Sequence, residues 1–79
     1  GIAKKAEGIL EAIGGSANIE SIDACITRIR LTVVNGELID EKKLKSLGAS
    51  GVMKLDETNY QIVVGTLADP LVTNIKQLM

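Results

Sequence analysis

Apolar residues recur at helical spacing in three segments of the chain, with charged residues between them. The first segment predicts an amphipathic helix over residues 2–14. Asp40 is a capping residue for a shorter helix over residues 41–47. In the last segment, Asp69 at the cap and Pro70 at the first helical position predict the start of a C-terminal helix.

Four segments between these helices have the character of strands: residues 19–24, 28–34, 51–55 and 60–64. The alternation is strict in residues 28–34, where one face carries Ile29, Leu31 and Val33 and the other carries Arg28, Arg30 and Thr32. Residues 56–59 form a plausible four-residue hairpin loop between the last two strands.

The predicted element order is α-β-β-α-β-β-α. Two hairpins separated by a helix favour an α+β fold, in which a four-stranded, mainly antiparallel sheet carries three helices on one face as a split α/β sandwich. With 79 residues the chain has room for a single domain, residues 1–79. Its apolar content is 46% but Tyr60 is its one aromatic residue, so we expect an aliphatic core.

Composition excludes several kinds of chemistry. The chain has one cysteine and no histidine, which argues against a disulfide framework, a metal site and a nucleophile paired with a histidine base. We expect no cofactor. A net charge of -1 argues against a nucleic-acid surface. No apolar run reaches the ~20 residues of a membrane span, and a lone thiol fits a reducing compartment, so a cytoplasmic location is expected.

The candidate chemistry is concentrated around Cys25, because both arginines of the chain, Arg28 and Arg30, lie within five residues of it. Cys25 falls between two predicted strands, where backbone N–H groups lack ladder partners. Guanidinium groups favour the reactive thiolate, and with free N–H groups they suit a phosphate. The residues alone leave two readings open: a reactive site, or a buried inert cysteine beside a solvated strand face.

The run DACITRIR, residues 23–30, resembles the phosphorylation-site signature of enzyme IIB domains in the glucose family of the bacterial phosphoenolpyruvate-dependent sugar phosphotransferase system. The match continues through IGGSANIESI (residues 13–22), LKSLGASGVM (residues 44–53) and QIVVGT (residues 61–66), and thus spans nearly the whole chain. A minor departure is Val63-Val64, where aromatic or Ile-Phe pairs are usual in the family. The family's fold agrees with the predicted element order.

The resemblance implies a phosphoryl carrier. Cys25 would accept a phosphoryl group from a phosphohistidine on a IIA partner and pass it to a sugar held by the membrane-embedded IIC domain. The implied catalytic residues are Cys25, Arg28 and Arg30, and the implied phosphate-binding residues are Ile26, Thr27 and Arg28. The resemblance also implies a monomeric domain excised from a larger sugar transporter and located at the cytoplasmic face of the membrane.

Two other functions remain open at this point. In a thiol-based redox or regulatory module, Cys25 would be oxidised or form a mixed disulfide, although the chain has no resolving cysteine. In a catalytically silent interaction domain, the fold would persist without a working site, although the intact run around Cys25 argues against such decay. The resemblance also implies that specificity for the sugar lies mostly in the IIC domain.

Overall fold

Seven helices and strands follow one another in the predicted order α-β-β-α-β-β-α in the computed structural model, which describes all 79 residues. Their bounds are α1 Ile2–Ala12, β1 Ile19–Ala24, β2 Arg28–Val33, α2 Glu41–Ser46, β3 Gly51–Lys54, β4 Asn59–Val63 and α3 Ala68–Leu78. Short 3-10 turns at Ser16–Asn18, Gly36–Leu38 and Gly65–Leu67 lead into β1, α2 and α3. None of the helices has both the length and the apolar character needed to cross a membrane.

The four strands form one antiparallel sheet in the order β1-β2-β4-β3. Both predicted hairpins are present, and β2 pairs with β4 to join them. The register places Arg30 opposite Asp23 on one side and opposite Gln61 on the other. The predicted α+β class and four-stranded antiparallel sheet are therefore confirmed.

The helices cover one face of the sheet and leave the other face open. In β2 the buried positions are Ile29, Leu31 and Val33, as the alternation predicts. They join an almost wholly aliphatic core with apolar residues of all three helices, including Ile9, Leu44 and Ile75. The remaining side chains of β2 therefore lie on the open face, where no helix covers them.

The predicted start of the last helix is wrong. Helix α3 begins at Ala68, with Leu67 at the cap position and no side-chain cap, so Asp69 and Pro70 lie inside its first turn. The physical reason is that the 3-10 turn Gly65–Leu67 runs directly into the helix. A proline in the first turn removes an N–H group that has no intrahelical acceptor, and an acidic residue there suits the helix dipole.

A buried asparagine, Asn18, connects the end of α1 to the segment after β2. Its Nδ2 donates to the carbonyl oxygens of Ile13 at 2.8 Å and Asn35 at 3.0 Å. Its Oδ1 accepts from the N–H of Asn35 at 2.8 Å. Gly14 has a φ of +102°, and a Cβ there would lie 2.7 Å from Nδ2 of Asn18. This close approach requires glycine at the turn that leads from the helix into the sheet.

Candidate functional site

The three-residue loop between β1 and β2, residues 25–27, is held in place from two sides. The N–H of Cys25 donates to the carbonyl oxygen of Arg28 at 2.9 Å, which extends the β1–β2 ladder by one rung. The carbonyl oxygen of Thr27 accepts from the N–H groups of Val64 and Gly65, each at 3.0 Å. The end of β4 therefore clamps the loop that carries the thiol.

Two backbone donors of this loop point to no protein acceptor. The N–H groups of Ile26 and Thr27 make no hydrogen bond within the chain, as expected for a turn between two strands. Both residues are exposed, and the apolar side chain of Ile26 is 85% exposed. Unpaired N–H groups in a tight turn form a concave site that favours an anion.

Cys25 is partly exposed, and its Sγ lies 3.4 Å from the carbonyl oxygen of Arg28, to which the thiol donates. It is therefore not a buried core residue, which was one of the two readings that the residues alone left open. The chain's one thiol therefore lies next in sequence to the unpaired N–H groups of Ile26 and Thr27.

Arg28 and Arg30 lie on the open face of the sheet, as their spacing in β2 predicts. The Nη1 of Arg28 donates to Oε1 of Gln61 in β4 at 2.9 Å. The Nε of Arg30 donates to Oδ1 of Asp23 in β1 at 2.8 Å and forms an ion pair with it. A guanidinium has five N–H donors. Each arginine therefore keeps donors for a further ligand.

The two arginines differ in their charge balance. Gln61 is neutral, so the positive charge of Arg28 is not compensated by its partner, whereas Asp23 compensates Arg30. Arg28 is also the less exposed of the two. The asymmetry makes Arg28 the guanidinium that is ready to bind an anion without breaking an ion pair.

The open face also holds a shallow depression of about 400 Å³ that Asp23, Arg30 and Gln61 help to line, together with Asn59 and Thr32. Cys25 is not among its lining residues. No group of three or more Cys, Asp or Glu side chains lies close enough together to hold a metal ion. The loop N–H groups and the two arginines, together with the thiol of Cys25, are suited to anion binding beside a nucleophile.

Asp23 and Gln61 were given no role by the sequence reasoning, although both lie in the runs quoted above. Asp23 could have been found by counting only from the exact turn: Cys25 opposite Arg28, with residues 26–27 between them, places position 23 opposite position 30. Gln61 reaches Arg28 only because β2 pairs with β4. That pairing joins two separate hairpins, so no local pattern in the sequence predicts it.

Comparison with known proteins gives a consistent result. The family model described as "phosphotransferase system, EIIB" matches residues 7–40, which include the whole β1–β2 hairpin. The N-acetylglucosamine-specific EIIB component of Streptomyces coelicolor is 45% identical over 78 residues, which cover 99% of this chain and 100% of that protein. The N-acetylglucosamine-specific EIICBA component of Escherichia coli is 39% identical over 79 residues, which cover 100% of this chain but 12% of that protein.

A solved structure agrees with the fold. The crystal structure of one domain of the PTS system IIabc component from Clostridium difficile matches with a TM-score of 0.73 and 32% identity, over 96% of this chain and 76% of that one. The alignments with the Escherichia coli and Streptomyces coelicolor relatives cover 100% and 99% of this chain and therefore span the loop with Cys25. The chain therefore belongs to the EIIB family of the phosphotransferase system, in its glucose family.

Proposed function

We propose that Cys25 is a phosphoryl carrier that accepts its phosphoryl group from a phosphohistidine of a IIA domain and delivers it to a sugar bound in a IIC domain. The observation that carries this proposal is the combination of a partly exposed thiol with two unpaired N–H groups, at Ile26 and Thr27, in one clamped loop. The guanidinium of Arg28, uncompensated in charge, follows directly after the loop.

In the first half-reaction, Sγ of Cys25 attacks phosphorus, an S–P bond forms and the N–P bond of the phosphohistidine breaks. In the second, the S–P bond breaks and a sugar hydroxyl forms the new P–O bond, with its proton taken by a group outside this chain. Phosphoryl transfer proceeds through a loose transition state, so the carrier mainly orients groups and stabilises charge. The N–H groups of Ile26 and Thr27 and the guanidiniums of Arg28 and Arg30 supply those donors.

The architecture of the relatives supports the proposed partners. The Escherichia coli and Bacillus subtilis relatives are EIICBA components, and this chain spans 12% and 11% of their lengths. The Streptomyces coelicolor relative is an EIIB component of the chain's own length. We propose that residues 1–79 act as one EIIB domain of a larger sugar transporter, at the cytoplasmic face of the membrane, with IIA and IIC domains as donor and acceptor.

The surface around Cys25 suits a transient partner. Ile26 has an exposed apolar side chain in the loop, and the charged side chains of Asp23 and Arg30 are exposed on the open face. Small interfaces with an apolar centre and a polar rim are typical of short-lived complexes. We expect chemical-shift changes on addition of a IIA domain to centre on residues 25–27; changes confined to the helix-covered face would contradict this docking mode.

The experiment is intact-mass analysis of the domain after incubation with a phosphorylated IIA domain of the Escherichia coli relative. We expect wild type to gain one phosphate that is absent from Cys25→Ser, while circular dichroism shows the same fold for both. A parallel incubation with peroxide tests the redox function. Oxidation of Cys25 without any phosphate gain from the donor would overturn the carrier proposal.

A further inference from the structure

The ion pair between Asp23 and Arg30 places a carboxylate on the same face as the arginines that follow Cys25. Its atoms Oδ1 and Nε are 2.8 Å apart, and the two side chains are 60% and 54% exposed. Exposed pairs of this kind contribute roughly 0–1 kcal/mol to folding. The effect of Asp23 therefore lies mainly in the charge that it adds to the site.

Asp23 lies two residues before Cys25, at the end of β1 that leads into the loop. The register pairs Asp23 with Arg30, and the hydrogen bond from Cys25 to Arg28 forms the neighbouring rung on the same side of the ladder. Positions two residues apart on a strand share a face and lie about 7 Å apart. This spacing of the two backbone positions is below the Debye length of about 8 Å at physiological salt, so a carboxylate at position 23 would act on a phosphoryl charge at position 25.

We propose that Asp23 limits how tightly the site holds the phosphoryl group, by positioning Arg30 and by repelling the phosphoryl dianion on Cys25. The inference rests on the proposed function. In the unphosphorylated domain, Asp23 holds Arg30 and offsets its charge. Once Cys25 is phosphorylated, Asp23 competes with the phosphoryl oxygens for Arg30 and adds a like charge beside them.

A carrier needs such a restraint. Two guanidiniums and two unpaired N–H groups stabilise a bound phosphoryl dianion, and stabilisation of that ground state opposes its delivery to the next acceptor. A nearby carboxylate raises the free energy of the phosphorylated domain. Arg28, which has a neutral partner in Gln61, keeps its charge for the transfer step.

The test measures the equilibrium between domain and donor, in which the S–P bond forms as the N–P bond of the donor's phosphohistidine breaks. The domain is mixed with the phosphorylated IIA domain of the Escherichia coli relative, and the phosphorylated fraction of each protein is read by intact mass. Asp23→Asn keeps the shape and a hydrogen-bond acceptor but removes the charge. We expect it to raise the equilibrium constant for phosphorylation of Cys25 two- to fivefold, as for one exposed charge interaction, roughly 0.4–1 kcal/mol.

Matched variants separate this effect from structural change. Asp23→Ser should move the equilibrium in the same direction, and Asp23→Glu should restore it to near the wild-type value. Glu20→Gln removes the same charge at the far end of β1, where the side chain is exposed and has no ion pair, and should leave the equilibrium constant unchanged. The effect of Asp23→Asn should shrink at 1 M salt, where the Debye length is about 3 Å.

The outcomes distinguish this inference from the function beneath it. If the wild-type domain takes up phosphate with an equilibrium constant equal to or higher than that of Asp23→Asn, the role of Asp23 is overturned and the carrier function is left intact. Equal shifts in Asp23→Asn and Glu20→Gln would overturn it too, because the effect would then reflect net charge. Wild-type domain that takes up no phosphate would overturn the carrier function and this inference with it.

Discussion

Arg28 and Gln61 are diagonal neighbours across the β2–β4 pair, joined by a hydrogen bond of 2.9 Å from Nη1 to Oε1. Diagonal positions in an antiparallel sheet are within reach of long side chains. A guanidinium has no acceptor, so Gln61 must present its carbonyl oxygen to Arg28. The bond fixes the direction of the arginine without cancelling its charge, and this distinguishes it from the pair formed by Asp23 and Arg30.

Two substitutions of Gln61 should separate orientation from charge. Gln61→Leu removes the acceptor and should slow delivery to sugar roughly two- to tenfold, the value of one hydrogen bond, with little change in the phosphorylation equilibrium. Gln61→Glu keeps an acceptor but offsets the charge of Arg28, and should lower the equilibrium constant for phosphorylation of Cys25 about two- to fivefold. The measurements are intact mass with phosphorylated IIA domain and sugar phosphate formed on membranes that carry IIC.

Identical behaviour of both Gln61 variants and wild type would show that this hydrogen bond does not matter to the site. If Gln61→Leu and Gln61→Glu gave the same equilibrium constant and the same delivery rate, the uncompensated charge of Arg28 would not matter.

Local signals in the sequence were sufficient for the helices, the strands and the loop that carries Cys25. The alternation in β2 placed Ile29 and Leu31 in the core and Arg28 and Arg30 on the opposite face, because a strand has a fixed two-residue period. The strand order was not predictable in this way. The pairing of β2 with β4 depends on how the two hairpins pack against the helices, and it is this pairing that brings Gln61 to Arg28.

The start of α3 shows the opposite failure, in which a strong local signal was misleading. Asp69 and Pro70 are a good helix start by residue type, yet the preceding 3-10 turn already has the chain direction of the helix and moves the start to Ala68. Gly65 begins that turn with a φ of +73°, and its N–H donates to the carbonyl oxygen of Thr27. The turn before the helix is therefore hydrogen-bonded to the Cys25 loop, which is remote in sequence.

Asn18→Ala should destabilise the fold by about 2–3 kcal/mol, because it leaves polar backbone groups of Ile13 and Asn35 without their side-chain partner. Denaturant unfolding at neutral pH measures this change. Asn74→Ala is the matched control, since Asn74 makes one exposed hydrogen bond, to Pro70 within α3, and its replacement by alanine improves helix propensity. Equal losses of stability in both variants would contradict the role assigned to the buried asparagine.

The hairpin loop between β3 and β4 should confer a pH dependence on stability. Asp56 accepts hydrogen bonds from the N–H groups of Thr58 and Asn59, at 3.0 and 2.8 Å, and from the side chain of Asn59. The Thr58 N–H, followed by the Asn59 side chain and N–H, lowers the pKa of the Asp56 carboxyl. A lowered folded-state pKa gives stability that is complete above the unfolded value, about 3.9, and is lost as pH falls through the folded value.

The difference in unfolding free energy between wild type and Asp56→Ala should therefore be constant near neutral pH and shrink below about pH 4. Denaturant unfolding at a series of pH values measures it. Glu57→Ala, in the same loop, is the control and should give a difference that varies less with pH, because the Glu57 carboxylate has only an exposed partner at 3.6 Å, Lys54. A difference for Asp56→Ala that grows as pH falls would contradict the assigned hydrogen bonds.

The two arginines should contribute unequally to the two half-reactions of the proposed carrier. Accepting the phosphoryl group relies partly on groups that the IIA partner supplies, whereas delivery to a neutral sugar requires this domain to offset more of the charge itself. Lysine cannot reproduce the two-bond geometry of a guanidinium on phosphate oxygens. Arg28→Lys and Arg30→Lys should therefore leave Cys25 phosphorylatable and slow delivery more than acceptance.

The larger loss should follow Arg28→Lys. Arg28 has a neutral partner and keeps an uncompensated charge, while Arg30 already shares its charge with Asp23. Loss of one well-placed charged donor in a transition state is worth about 3 kcal/mol, so delivery by Arg28→Lys should fall roughly a hundredfold. Arg30→Lys should fall by less, because lysine can still pair with Asp23. The two rates are phosphoryl uptake from IIA and sugar phosphate formed on membranes carrying IIC. Equal slowing of both steps would refute the division between acceptance and delivery. A larger loss of delivery rate in Arg30→Lys than in Arg28→Lys would refute the ranking inferred from their partners, Asp23 and Gln61.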